Sequence, residues 1–98
     1  MKVLAVGMHV LDVLVRPVDE IPEGQGTTLV DEIRMTAAGT AGGTALTLAK
    51  LGGSVRSAGA LGSDATGDML VALLGKAGID TTGLVRRDDI ATSTSVLP

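Results

Sequence analysis

The sequence predicts an α/β fold built on a parallel central sheet. Short continuous apolar runs, typical of buried strands, alternate with segments whose apolar residues recur at steps of three and four, typical of helices. This alternation indicates right-handed βαβ units in a layered sheet rather than a helix bundle or a sandwich. The chain has 98 residues, which sets an upper limit of one domain.

The N-terminal third contains two predicted strands and a loop. The apolar run Val3–Val6 ends at Gly7 and predicts the first strand, and the apolar stretch continues over Val10–Val15. Prolines and glycines among acidic residues predict a loop over residues 16–26. Rough alternation of apolar and polar side chains predicts a half-exposed strand over Thr27–Thr36.

Two helices and three more strands are predicted in the rest of the chain. The first helix begins at Gly42 and ends at Gly52-Gly53, where glycine permits the left-handed backbone common at helix ends. The second begins after the capping segment Ser63–Thr66 and ends at Gly78. Three further segments are strand candidates: Ser54–Leu61, Ile79–Arg87 and Thr92–Leu97.

The composition argues against several classes of function. A net charge of −3, eight Lys and Arg residues and the absence of Phe, Trp and Tyr argue against nucleic-acid binding. No apolar run approaches the roughly 20 residues that cross a bilayer, so no membrane role is expected. The absence of cysteine fits a cytoplasmic address, and a single histidine cannot build a metal centre alone.

Asp12 is a charged residue within an apolar stretch, just beyond the end of the first strand. Ligands of open α/β sheets bind outside the carboxyl ends of the strands, so this carboxylate is placed to accept hydrogen bonds from substrate hydroxyls. Two structural roles are also compatible with its position, because it could cap a turn or pair with Arg16.

A glycine-rich turn, Ala38–Thr44, comes immediately before the first helix. Its glycines allow a ligand to approach the backbone, and the helix start offers N–H groups to an oxygen-rich partner. A tight strand-to-helix turn would need the same glycines. The spacing matches neither the P-loop, which requires a lysine, nor the dinucleotide-binding fingerprint.

Two other features have simple structural interpretations. In the turn Gly59–Asp68, Asp64 is expected to cap the second helix, whereas a calcium loop would need more oxygen ligands at fixed intervals. His9 lies three residues before Asp12 and could contact a ligand, although a lone histidine is more often a surface or core residue.

Taken in order, four segments resemble the ribokinase-like (PfkB) family of carbohydrate kinases, over essentially the whole chain. They match an opening strand that ends in glycine with an aspartate five residues later, a proline-and-glycine loop before a lid strand, a Gly-Gly-x-x-x-Asn-x-Ala segment, and a Gly-x-x-Gly-x-Asp-x-x-Gly-x-x-Leu turn. The residues that carry the resemblance are Gly7 and Asp12; Ile21–Thr27; Ala38–Ala45 with Leu51-Gly52; and Gly59, Gly62, Asp64, Gly67, Leu70 and Gly78–Asp80.

The resemblance implies a three-layer ribokinase-like fold with a parallel central sheet and a small β lid, its strands at about residues 27–37 and 92–97. Residues 1–98 would be the N-terminal part of a single domain that phosphorylates a sugar or nucleoside hydroxyl. The substrate-binding residues would be Asp12, Gly39, Thr40 and Gly43.

The resemblance places the chemistry elsewhere. The family's catalytic base lies in a Gly-Ala-Gly-Asp turn far downstream, and no such turn occurs in these 98 residues. No catalytic residue and no metal ligand are therefore expected here. ATP and Mg²⁺ would be bound mainly by the C-terminal nucleotide-binding part.

Two departures from the family pattern concern the substrate. Gly43 stands where the family usually has a sugar-binding asparagine, and Ala38 replaces the first glycine of the pair. Lid strands in this family often pair between subunits, which implies a homodimer. The alternative is a non-catalytic module that binds a partner through exposed strand edges.

Overall fold

The computed structural model describes all 98 residues, which form six strands and two helices. In chain order these are β1 (Lys2–Val6), β2 (Val10–Arg16), β3 (Glu32–Ala38), α1 (Thr40–Lys50), β4 (Ser54–Gly62), α2 (Ala65–Lys76), β5 (Asp80–Arg87) and β6 (Thr94–Leu97). The strands form two three-stranded sheets. The core sheet has the order β1-β4-β5. The second sheet has the order β3-β2-β6 and is named the lid sheet because it contains the strands that are expected to form a lid.

The core sheet is entirely parallel, and α2 connects β4 to β5 in a βαβ unit. Both helices contribute to a single apolar core, which consists of Ala5, Ala37, Ala41, Ala45, Val55, Leu61, Leu70, Leu74, Ile79 and Leu84. The predicted α/β class and parallel sheet are confirmed. These three strands and two helices form part of the expected three-layer arrangement.

The second face of the core sheet is not covered by these residues. Leu4, Val6 and Val85 point to that face and are 58%, 67% and 60% exposed. Their register partners Arg56, Ala58 and Ala60 lie beside them on β4. Neither helix is long and apolar enough to cross a bilayer.

Both helices end as the glycine pattern predicts. After α1, the Gly53 N–H donates to Leu48 O at 2.9 Å and the Gly52 N–H donates to Ala49 O at 3.1 Å. The same pair of bonds follows α2, where the N–H groups of Ile79 and Gly78 are the donors. Gly52 and Gly78 have φ of 91° and 84°, a conformation that glycine adopts without strain.

The lid sheet differs from the predicted strands in three respects. Residues 10–16 form a strand of their own, β2, which pairs antiparallel with β3 and parallel with β6. β3 begins at Glu32 rather than at residue 27, because Pro17 follows β2 and has no N–H with which to extend the ladder. β6 begins at Thr94 rather than Thr92, because the Thr92 N–H donates to the side chain of Asp64.

Asp80 fixes the start of β5 through hydrogen bonds to its own strand and to β4. Its carboxylate accepts from the Thr82 hydroxyl at 2.6 Å, from the Thr82 N–H at 2.9 Å and from Arg56 Nε at 3.1 Å. These bonds, the Thr82 hydroxyl first, lower the pKa of Asp80 to about 2. The folded state therefore holds this carboxylate in its charged form more strongly than the unfolded chain does.

The free energy of unfolding should consequently fall as the pH is lowered from about 4 toward 2. Because the pKa of Asp80 is about 2 in the folded state and about 3.9 when unfolded, its contribution is complete above about pH 4 and is lost as the pH falls toward 2. Urea denaturation at pH 5, 4 and 3 should show that the free energy of unfolding decreases less for Asp80→Asn than for the wild type. The control Asp19→Asn changes an exposed loop residue and should behave like the wild type.

Candidate functional site

The candidate site lies where the chain passes from the core sheet to the lid sheet. Gly7 follows β1, and a Cβ built on it would lie 3.7 Å from Thr40 Oγ1 at the start of α1. A Cβ built on Gly39 would lie 3.1 Å from the side chain of Val10 in β2. The turn residues Gly39 and Thr40 are thus placed beside the carboxyl end of a parallel strand, where α/β sheets bind ligands.

Gly39 is required by the geometry of this turn. Its φ and ψ of 86° and 169° lie in a region that is essentially restricted to glycine. A Cβ at this position would lie 2.6 Å from Met8 O, well inside van der Waals contact. The backbones of the β1–β2 connection and the α1 start therefore touch directly.

The start of α1 offers fewer free N–H groups than the sequence suggested. The N–H groups of Ala41 and Gly42 donate to Met8 O at 3.0 and 3.3 Å, and the Gly43 N–H donates to Gly39 O at 2.9 Å. The expectation that these amides are available to a ligand is wrong, because Met8 O of the neighbouring connection accepts from two of them and Gly39 O accepts from the third. The turn exposes the side chains of Thr40 and Thr44, and the Thr44 hydroxyl donates to Thr40 O at 2.7 Å.

Gly43 lies in the first turn of α1 beside open space. No heavy atom outside its own helix turn lies within 4 Å of a Cβ built there. The glycine is therefore not imposed by packing, and a larger side chain would fit.

Asp12 lies in the middle of β2 and is half-buried. Arg16, its suggested partner, instead donates to Glu32 at 3.0 Å, and Asp12 takes part in none of the five ion pairs. It caps no turn, because β2 continues for four residues beyond it. Both structural alternatives are therefore wrong, and the carboxylate is left without a protein partner.

A row of polar side chains crosses the lid sheet at Asp12. Its register partners are Thr36 in β3 and Ser95 in β6, so the three side chains share one face of the sheet. All three are half-buried. Val10 lies on the same face two residues earlier, about 6.6 Å along the strand, and contacts the Gly39 turn. The polar row and the turn therefore form one continuous surface.

His9 belongs to the core and not to this surface. Its side chain is 3% exposed, and Nδ1 lies 3.0 Å from Gly7 O, which assigns the ring proton to Nδ1. The ring packs where Cβ atoms on Gly42 and Gly59 would approach it to 3.4 and 3.2 Å, so those glycines make room for it. Nε2 is buried without a hydrogen-bond partner.

Asp64 caps α2, as predicted, by accepting from the Gly67 N–H at 2.8 Å. It also accepts from the hydroxyl and the N–H of Thr92, and these three bonds, the Thr92 hydroxyl first, lower the pKa of Asp64 to about 2. No group of three or more His, Asp or Glu side chains is placed to hold a metal ion. This turn is a structural junction.

A family model described as pfkB family carbohydrate kinase matches residues 1–97. The chain therefore belongs to the PfkB family of carbohydrate kinases, and the fold agrees with this assignment. No curated protein sequence matches the chain.

Several solved structures are similar to the chain. A protein of Agrobacterium tumefaciens, provisionally named a ribokinase, is 36% identical, with a TM-score of 0.84 over 97% of this chain and 31% of that one. A fructokinase of Xylella fastidiosa with bound ATP is 29% identical, with a TM-score of 0.76 over 97% and 28%. A ribokinase of Cryptococcus neoformans in complex with ADP is 26% identical, with a TM-score of 0.68 over 97% and 29%. The chain thus spans less than a third of the length of these relatives.

Proposed function

We propose that these 98 residues are the acceptor-binding N-terminal part of an ATP-dependent carbohydrate or nucleoside kinase, which transfers the γ-phosphoryl group to a substrate hydroxyl. The observation that carries the proposal is the unpartnered carboxylate of Asp12, half-buried between Thr36 and Ser95 on the surface that leads to Gly39. Membership of the PfkB family supports the same conclusion.

The proposed surface suits a molecule with several hydroxyl groups. An ionised carboxylate accepts hydrogen bonds only, and its two oxygens can take adjacent hydroxyls of one sugar. The hydroxyls of Thr36 and Ser95 can both donate and accept, so they can bind ring or hydroxyl oxygens on either side of Asp12. Thr40 adds a third hydroxyl from the turn. Each bond to the charged carboxylate contributes roughly 1.5–3 kcal/mol, which makes Asp12 the strongest contact.

The residues described here do not fit a nucleotide or metal site. No cluster of carboxylates or histidines could hold Mg²⁺, and the glycine turn has no lysine to pair with phosphates. We therefore assign ATP and Mg²⁺, together with the base that activates the acceptor, to residues outside this chain. The ATP and ADP bound to the related fructokinase and ribokinase support a nucleotide cosubstrate.

Gly43 is proposed to influence which acceptor is bound. The open space beside it leaves room for a substituent of the substrate where the family usually places an asparagine side chain. A substrate with a larger group on this side, such as a nucleoside or a substituted sugar, is compatible with that space.

Pairing of two copies through the lid is a second candidate property. On the opposite face of the lid sheet, Val13 has the register partners Met35 and Val96. Met35 and Val96 are exposed, as is Ile33 at the next apolar position of β3. An exposed apolar face on a sheet with two free edges favours association with another sheet. A non-catalytic binding module would use the same surface, but it would not require a free carboxylate on the other face.

The test is acceptor-dependent formation of ADP by the complete protein that contains this chain. We expect ADP to form from Mg²⁺–ATP only when an acceptor is added, with ribose, fructose and adenosine as the first candidates. A background rate that none of a broad panel of sugars and nucleosides increases would contradict the proposal and favour the binding module.

A further inference from the structure

Three connections join the core sheet to the lid sheet, and they differ in glycine content and in backbone conformation. The β1–β2 connection contains Gly7 with φ of 141°, and the β3–α1 connection is Gly39 with φ of 86°. The connection from β5 to β6, residues 88–93, contains no glycine and no residue with positive φ. It is instead attached to the core through Thr92.

Both the side-chain hydroxyl and the backbone N–H of Thr92 form hydrogen bonds to the turn between β4 and α2. Its hydroxyl donates to Asp64 Oδ1 at 2.6 Å, and its N–H donates to Asp64 Oδ2 at 2.9 Å. The same hydroxyl oxygen accepts from the Gly62 N–H at 3.0 Å. Thr92 is only 8% exposed; its bond from the Gly62 N–H is buried, and its two bonds to Asp64 are partly buried.

The turn between β4 and α2 packs closely against Thr92 and leaves no room for side chains at two of its glycines. A Cβ on Gly62 would lie 2.5 Å from Ile90 O and 2.8 Å from Thr92 N, and a Cβ on Gly67 would lie 2.9 Å from Thr92 Oγ1. On the other side, Arg86 Nε donates to Gly62 O at 2.8 Å. The two glycines therefore allow this part of the connection to approach the turn closely, and Arg86 holds the turn from β5.

The attachment continues directly into the proposed acceptor site. The residue after Thr92, Ser93, accepts from the Leu11 N–H of β2 at 3.0 Å, and β6 then places Ser95 beside Asp12. The position of Ser95 relative to the core sheet is therefore tied to Asp64 through a few bonds. The two glycine connections are held differently, by backbone bonds alone, from the N–H groups of Ala41 and Gly42 to Met8 O and from the Gly7 N–H to Ala58 O.

We propose that Thr92 and Asp64 are positioning residues that anchor the β6 side of the lid over the acceptor site. The proposal rests on the proposed function. Without the anchor the lid samples more orientations, and the apparent acceptor affinity falls in proportion to the fraction that is competent to bind. We expect Thr92→Val to raise the acceptor KM about 10-fold, since it removes a hydroxyl that bonds a charged group. The kcat and the KM for ATP should remain unchanged.

Three further variants of the complete protein separate anchoring from stability. Thr92→Ser keeps the hydroxyl and should restore the acceptor KM to within about 2-fold of the wild type. Asp64→Ser keeps a good helix cap, but its single short oxygen cannot hold Thr92, so it should behave like Thr92→Val. Val55→Ala removes a buried methyl pair from β4 in the core sheet and should lower the melting temperature without raising the acceptor KM.

Hydrogen exchange supplies a readout that does not depend on activity. In Thr92→Val, the Leu11 amide and the β6 amides should exchange faster, while those of β1 and β4 keep their protection. An unchanged acceptor KM and unchanged β6 protection in Thr92→Val would overturn the anchor. Failure of the proposed function is a different outcome, because the wild type would then show no acceptor-dependent ADP formation whatever the exchange result.

Discussion

Replacement of Asp12 by alanine is expected to raise the KM for the acceptor by about 100-fold or more in the complete kinase. The carboxylate has no protein partner, so its loss leaves no buried group unsatisfied and the melting temperature should stay within a few degrees of the wild type. Two hydrogen bonds to a charged group account for a loss of this size, at tenfold per 1.4 kcal/mol. Steady-state kinetics at saturating ATP measure it.

The matched variants for this prediction are Asp12→Asn and Asp31→Ala. Asparagine has the same shape but one acceptor oxygen and no charge, so we expect a loss of intermediate size, about 10-fold. Asp31 is an exposed acidic residue before β3, and its replacement should leave the acceptor KM unchanged. An unaltered acceptor KM in Asp12→Ala would remove Asp12 from the site.

Replacement of Gly39 by alanine is expected to destabilise the protein by about 3 kcal/mol or more. Backbone strain at its φ and ψ costs a non-glycine residue roughly 1–3 kcal/mol. The added methyl group would also lie 2.6 Å from Met8 O, which must move and would pull on the bonds from Ala41 and Gly42. Urea denaturation of the wild type and the variant measures the difference.

Gly43→Ala is the matched control, four residues further along the same turn. Its Cβ would meet nothing within 4 Å and its backbone is already helical. Alanine is favoured over glycine inside a helix, so this variant should gain roughly 0.5–1 kcal/mol. Equal costs at the two positions would show that the turn tolerates side chains generally and that the contact of Gly39 with Met8 is not what fixes it.

The parts of this structure that could be predicted from sequence are those determined by local signals. Glycines mark the ends of both helices, because Gly52 and Gly78 adopt the left-handed conformation without strain. The position of Asp64 before an apolar helical repeat identifies it as a cap. The parallel sheet followed from the alternation of strands and helices. Each of these depends on neighbours within a few residues along the chain.

The features that local patterns do not predict depend on contacts between distant segments. Thr36 and Ser95 flank Asp12 only because three strands align in one register, and no local pattern encodes that register. The occupation of the α1 amides by Met8 O could not be seen for the same reason.

The most direct test of the account is a crystal structure of the complete protein with its acceptor bound. The account predicts that a hydroxyl of the acceptor lies within about 2.5–3.0 Å of the Asp12 carboxylate, on the face of the lid sheet shared with Thr36 and Ser95. An acceptor bound on the opposite face of the lid, or one whose hydroxyls make no contact with Asp12, would contradict it.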